Sequence, residues 1–198
     1  MHPEPRTTRS LVALVRAAGA STRMGTPKLA LEWRGETFLT HALRQARWAG
    51  AEEIVVVTGA TPLAQSLPAG VRHVDHPGWS QGPLSTLQVG FGSLDPGPCL
   101  VLTVDRPHVA RSTLEALSKG VSSDPLAIWQ PAHAERRGHP IVWPQKVRDE
   151  LSTLPSDSNP RELLARAEIA SLRRSVEVAD PAIFQNLDRP EDLARLPA

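Results

Sequence analysis

The sequence predicts an α/β fold with a mostly parallel central sheet and a small β excursion. Three observations predict it. Short apolar runs alternate with segments of helical periodicity. The strongest runs, at 11–15, 54–57 and 99–102, are unbroken rather than alternating, as strands covered on both faces require. Beyond residue 125 the spacing tightens into strands that resemble a hairpin. Strand–helix–strand order implies right-handed crossovers, which make neighbouring strands parallel.

In order along the chain, "LVALV" (11–15) predicts the first strand. From 37 to 49, Phe38, Leu39, Ala42, Leu43, Ala46 and Ala49 recur at helical spacing, and Gly50 stands where a helix stops. "EIVVVTG" (53–59) is a strand and "VRHVDHP" (71–77) a weaker one. "STLQVGFGSL" (85–94) predicts a helix with Ser85 near its start, "CLVLTVD" (99–105) a strand, and 110–119 a helix. "LAIWQPA", "ERRGHPIVWP" and "RRSVEV" read as strands, with helices near 145–153 and 161–168. In the closing "FQNLDRPEDLARL", Asp188 or Arg189 precedes Pro190 at a first helical position. The expectation is one domain over 10–198 behind a disordered leader, 1–9.

Composition narrows the function. A formal net charge of +1 with 22% charged residues gives no basic surface for nucleic acid or membrane. No apolar run is long enough to cross a bilayer, and the first ten residues lack the apolar core of a secretory signal. Cys99 is the only cysteine, which excludes an intrachain disulfide and any multi-cysteine metal cage. A cytoplasmic location is expected.

The chemistry concentrates in "RAAGASTRMGTPK" (16–28), directly after the first strand. Ligands bind in open α/β sheets where loops leave the carboxyl ends of strands. Gly19 and Gly25 let the backbone bend around a ligand, Ser21 and Thr22 offer hydroxyls, and Arg23 and Lys28 supply a planar fork and a mobile point charge. The set suits a polyphosphate; an ordinary turn with solvated cations is the other reading. It is neither a Walker A loop nor G-x-G-x-x-G, so a P-loop kinase and a dinucleotide site are disfavoured. Asp105 closes an apolar strand, where an unpartnered carboxylate is costly. A hard cation such as Mg²⁺ or a helix cap would explain it.

"AAGASTRMGTPKLAL" resembles the signature loop of the MobA-like nucleotidyltransferases, L-A-[A/G]-G-x-S-x-R-M-G-x-x-K, with every specified position met except the first, where Arg16 stands. "HPGWSQGPLSTLQVG" (76–90) resembles N-P-x-W-x-x-G-x-x-S-S-L-x-x-G, keeping Gly82, Ser85 and Gly90, with His76 for Asn and Thr86 for the second Ser. "LTVDRPHV" (102–109) is similar to the strand ending in D-x-P, with Arg106 where Met or Gln is common, a departure that bears on the acceptor side. "GHPIVWP" (138–144) and "NLDRPEDL" (186–193) resemble the family's G-H-P and closing motifs. The matches run in family order from 16 to 193.

The resemblance implies a three-layer, Rossmann-like nucleotidyltransferase fold and transfer of NMP from an NTP to a phosphate-bearing acceptor, with release of pyrophosphate. It assigns nucleotide binding to Ala17, Ala18, Gly19, Ala20, Ser21, Arg23, Gly25, Lys28, Gly82 and Ser85. Catalysis falls to Arg23, Lys28 and Asp105, metal to Asp105 and Asp188, and acceptor contacts to His139 and Asn186. Asp188 could equally cap the last helix, and His139 could be structural. Ala-Ala-Gly at 17–19 implies CTP. Members closest in these motifs are molybdenum cofactor cytidylyltransferases, which implies molybdopterin as acceptor and a molybdoenzyme client. Against that acceptor, "PSDSNPREL" (155–163) keeps Asp157 and Arg161 of a G-D-x-G-A-R segment but neither glycine. A sugar- or alcohol-phosphate acceptor, or an idle nucleotide sensor or cofactor-delivery protein, are the alternatives.

Overall fold

The computed structural model describes residues 10–196 apart from Gln65; the expected leader at 1–9 lies outside the described residues. The first strand, β1 (Val12–Ala17), is the axis of an eight-stranded sheet. It is flanked by β4 (Glu53–Thr58) and β6 (Cys99–Thr103), both parallel to it, with Arg16 paired to Val57 on one side and Thr103 on the other. β5 (Val71–Asp75) extends the sheet beyond β4.

On the other flank β9 (Ile141–Trp143) runs antiparallel to β6, followed by β7 (Ile128–His133) and the parallel edge strand β10 (Arg173–Glu177). The two-residue β8 (Arg136–Arg137) folds back on β7, which realises the predicted excursion. The sheet order is β5-β4-β1-β6-β9-β7-β10. The chain leaves β1 toward β4 and returns through β6 on the opposite side, so the carboxyl ends of β1 and β6 form the switch point at which ligands enter such sheets.

Alternation along β1 divides the core into two layers. Ala13, Val15 and Ala17 pack with Ile54, Val56, Leu100 and Leu102 beneath α1 (Phe38–Trp48) and α3 (Arg111–Ser123). Val12 and Leu14 pack with Val55, Val57 and Val101 beneath α2 (Pro83–Gly92) and α4 (Gln145–Thr153). Helix, sheet and helix make three layers.

α1 begins at Thr37, whose hydroxyl accepts from Thr40 N–H at 3.1 Å, satisfying an otherwise orphan donor. α2 starts two residues before the predicted position, because Pro83 occupies its first turn without needing an N–H partner. The predicted helix 161–168 is two short helices, α5 (Pro160–Ala165) and α6 (Ala167–Ala170), broken where Arg166 takes an extended conformation. A small hairpin unexpected from the sequence, β2 (Glu32–Trp33) with β3 (Glu36–Thr37), turns through Arg34 and Gly35, both at positive φ. α7 (Pro190–Ala194) ends the described chain. No helix among the described residues is long and apolar enough to cross a membrane.

Candidate active site

A cleft of about 750 Å³ opens at the switch point. Four elements build it: the loop after β1, the first turn of α2, the turn after β6, and the segment leading into α7. Its charged lining residues are Arg16, Arg23, Lys28 and Arg106 against Asp105 and Asp188, an excess of positive charge suited to a polyanion.

The loop is held open by its own backbone. Ser21 adopts φ of 54°, a left-handed conformation that costs energy in a non-glycine residue and turns the chain. Its carbonyl accepts from Met24 N–H at 2.9 Å and its hydroxyl accepts from Lys28 N–H at 2.9 Å. Met24 and Leu29 are buried in the core and anchor the loop, so Lys28 projects inward from a fixed base.

Lys28 Nζ donates to Asp188 Oδ1 and stands 3.6 Å from Asp105 Oδ2. Arg23, largely exposed, reaches Asp188 Oδ2 at 3.3 Å. Two carboxylates from distant parts of the sequence therefore share one ammonium. The hydrogen bond from Lys28 chiefly holds the Asp188 carboxyl below its ordinary range, with the charges of Lys28, Arg23 and Arg106 adding to it against partial desolvation.

Neither aspartate is a helix cap: α3 and α7 begin from Ala110 and Arg189. Asp192 Oδ2 accepts from the N–H groups of Asp188 and Arg189 at 3.0 and 2.9 Å at the start of α7. Asp180 Oδ2 accepts from Ala110 N–H at 2.9 Å and from Thr113 Oγ1 at 2.7 Å at the start of α3. Asp105 lies two residues past the end of β6, in the turn rather than in the strand. It accepts from Thr103 Oγ1 at 2.5 Å, and its carbonyl accepts from Leu187 N–H at 2.9 Å, which brings Asp188 across to it.

The described residues hold no cluster of three or more His, Cys, Asp or Glu for a metal. Two carboxylates gathered around a cation, beside an open anion cleft, nevertheless fit a hard divalent ion that completes its shell with phosphate oxygens and water.

Ala17, Ala18, Gly19, Gly82, His139 and Asn186 line the cleft as well. Ala20, Gly25 and Ser85 do not. Gly25 supplies a turn at φ of 72°. Ser85 is buried behind the wall, donating to the Gly82 carbonyl at 2.8 Å and paired with His76 Nε2 at 2.9 Å, and Thr86 takes the lining position beside it. Trp79 walls the cleft, whereas Trp143 is core. Sequence reasoning passed over Thr103 and did not assign Arg16 to the site; Arg106 it connected only with the acceptor side. Strand register sets Arg16 beside Thr103, and Arg106 Nη1 donates to Thr103 Oγ1 at 3.0 Å. Burial pushes both guanidinium pKa values down, opposed by the charge of Asp105.

The fold and cleft define a nucleotidyltransferase-type α/β protein. A structure of Rv0371c from Mycobacterium tuberculosis superposes with a TM-score of 0.80 at 28% identity, covering 96% of this chain and 98% of that one. A nucleotidyl transferase from Methanothermobacter shares the fold (TM-score 0.78, 21% identity, 94% and 95% covered). Rv0371c has also been solved as a complex with manganese (TM-score 0.70, 23% identity, 94% and 100% covered).

Residues 13–173 match the MobA-like NTP transferase domain family, and the chain belongs to it. Among relatives, nicotine blue oxidoreductase of Paenarthrobacter nicotinovorans is 30% identical over 91% of this chain and 93% of that one. A probable molybdenum cofactor guanylyltransferase of Bacillus velezensis is 25% identical (93% and 94% covered), as is the molybdenum cofactor cytidylyltransferase of Escherichia coli (90% and 91%).

Proposed function

We propose that this protein transfers a nucleoside monophosphate, CMP by preference, from an NTP to a phosphate-bearing acceptor such as molybdopterin, using Mg²⁺. The observation that carries the reading is Lys28 suspended between Asp105 and Asp188 at the mouth of the loop after β1. A protein that only held a nucleotide would need the cations but would have less need of two carboxylates facing them.

In the reaction the acceptor phosphate attacks the α-phosphorus in line and pyrophosphate leaves. The attacking oxygen already carries charge, so no general base is required, and catalysis reduces to positioning and charge neutralisation. Backbone N–H groups of Ala18 to Ser21 and the first turn of α2 cradle the nucleotide. Arg23 swings from Asp188 to the β- and γ-phosphates, and Lys28 neutralises charge accumulating at the bridging oxygen. Asp105 and Asp188 would hold a divalent ion, which would supply Lewis-acid polarisation of the α-phosphate. Manganese in the Rv0371c complex supports a divalent ion here.

Ala17-Ala18-Gly19 supports CTP, and the guanylyltransferase relatives make GTP the competitor to test. The oxidoreductase relative means that the fold alone does not choose the reaction, so the charged site must.

The deciding assay is pyrophosphate release from CTP or GTP with Mg²⁺ and molybdopterin. Release with CTP, reduced on the order of a thousandfold by Asp105→Asn while nucleotide still binds, is the expected result. Undiminished turnover in Asp105→Asn would remove the metal assignment. Nucleotide binding without release from any acceptor would favour a sensor or delivery protein.

A further inference from the structure

Two of the cations on the cleft are left over once a triphosphate and its metal are provided for. Arg23 and Lys28 rise from the loop and face Asp188. Arg16 and Arg106 come from elsewhere, from the end of β1 and the turn after β6, and line the same cleft on either side of Thr103. Alternation places Arg16 on the same face of β1 as Val12 and Leu14, beneath the start of α2. Its register partner is Thr103, the residue whose hydroxyl receives Arg106 Nη1 at 3.0 Å. Arg106 Nη1 also stands 3.7 Å from Asp105 Oδ1. His139 lines the same cleft and, with Thr103 and Arg106, a small adjoining pocket.

Neither guanidinium has its Nε–H satisfied. The Nε atoms of Arg16 and Arg106 are both shielded from solvent and without a hydrogen-bond partner. Asp105, the carboxylate they approach, is already shared with Lys28. Two like charges that feel one another, both partly desolvated, work against the fold unless an anion offsets them. Arg106 alone could be explained as a brace on Thr103; Arg16 has no comparable duty. Both positions also depart from the signature motifs, which carry Leu at the first and Met or Gln at the second, so the pair belongs to this chain rather than to the general nucleotide machinery.

We propose that Arg16 and Arg106 form a two-arginine seat for the phosphate monoester dianion of the acceptor, the group that attacks the α-phosphorus. The inference rests on the transferase reading above. Two planar forks can bind one phosphate through several parallel N–H···O bonds, which fixes its orientation as well as its charge. Placed beside Asp105, the seat sets the acceptor next to the carboxylate proposed to hold the metal at the α-phosphate. One acceptor oxygen bonds to the α-phosphorus as the bond from that phosphorus to the β-bridging oxygen breaks. The electron pair leaves with pyrophosphate; a tetraanion and a dianion give a dianionic product and tetraanionic pyrophosphate, with no proton moved. The seat neutralises the repulsion between the two incoming anions. It also selects for acceptors with a terminal phosphate.

The test uses the whole protein, ¹⁵N-labelled at arginine, saturated with Mg²⁺ and α,β-methylene-CTP, and titrated with inorganic phosphate. Arg16→Leu and Arg106→Met assign the two Nε–H signals and serve as the neutral variants; Arg16→Lys is the charge-conserving control. The expected result is that both signals move along one phosphate isotherm. Each neutral variant should weaken phosphate about tenfold or more, with nucleotide affinity held within about threefold and partial recovery in Arg16→Lys. Signals that ignore phosphate, or variants that lose nucleotide as strongly as phosphate, would overturn the seat; the latter would assign the arginines to the triphosphate. Failure of the wild type to bind nucleotide would defeat the transferase reading separately. The same signals, titrated with phosphate alone, would then still decide whether the two arginines hold it.

Discussion

The ion cluster is made of few residues, and each has a separable consequence. Asp188 is held in its charged form by Lys28, so its folded carboxyl titrates below the ordinary value of 3.8. As pH falls the unfolded chain therefore takes up the proton first. The stability supplied by this pair is complete above the ordinary value and is lost as pH drops through the folded one. Asp188→Asn, or Lys28→Met, is expected to flatten the acid limb of the stability profile, measured as urea midpoints between neutrality and about pH 3. Gly82 sets another limit. At φ of 117° and ψ of 179° it occupies a region that is essentially glycine's alone, immediately before α2. Gly82→Ala should cost about 1–3 kcal/mol and weaken nucleotide binding together, read from the same urea curves and a nucleotide titration.

Elements hold the site in place through contacts far from it. α2 can lay its first turn on the cleft because Gly90 lets the helix approach β1: a Cβ there would fall 2.4 Å from Leu14 Cδ1, inside the core. The last glycine of the second motif is thus a packing residue. Behind α2, Arg148 of α4 is almost wholly buried, with its guanidinium at the carboxyl end of that helix. Nη2 donates to Phe91 O at 3.1 Å, and Nη1 donates to Gly97 O at 2.6 Å and Asp95 O at 3.1 Å. It clamps the loop that feeds β6 and complements the α2 dipole. Arg148→Met should lower stability by about 3–5 kcal/mol, because buried carbonyls lose their donors. Its signature is a lower urea midpoint at constant m-value, with nucleotide affinity unchanged in the folded protein.

For the molecule as a whole, the cleft couples ligand to fold. The loop after β1, the turn after β6 and the lead into α7 come from the two ends and the middle of the chain, and bound nucleotide would tie them together. Free ligand at a hundred times its Kd adds about 2.7 kcal/mol to stability. For a protein of this size that raises the thermal midpoint by roughly 5–10 °C. Midpoints with CTP, GTP, ATP and UTP, each with and without Mg²⁺, are expected to rise most with CTP and Mg²⁺. A rise with GTP alone would reverse the base preference and leave the transfer chemistry standing.

Much of this was legible in the residues alone. The unbroken apolar runs at 11–15, 54–57 and 99–102 read as strands covered on both faces, and the order of strands and helices then pointed to a parallel sheet. The loop 16–28 carried its own chemistry, because the glycines, hydroxyls and cations needed to hold an anion lie within a few residues of one another. What tertiary structure decided was juxtaposition. No spacing in the chain indicates that Asp188 faces Asp105, since a backbone bond from Leu187 to Asp105 makes that contact. Nor does it reveal that Asp192 takes the N–H groups of Asp188 and Arg189 at the start of α7 and leaves the Asp188 carboxylate to the cleft. Ser85 sits in a glycine-framed motif that reads as ligand contact, yet the helix turns its hydroxyl inward to Gly82 and His76. Arg16 ends an apolar strand with no sign of a partner, and only the β1–β6 register sets it beside Thr103 and Arg106. Local patterns encode which elements form; the sheet's register and crossovers determine which distant charges meet.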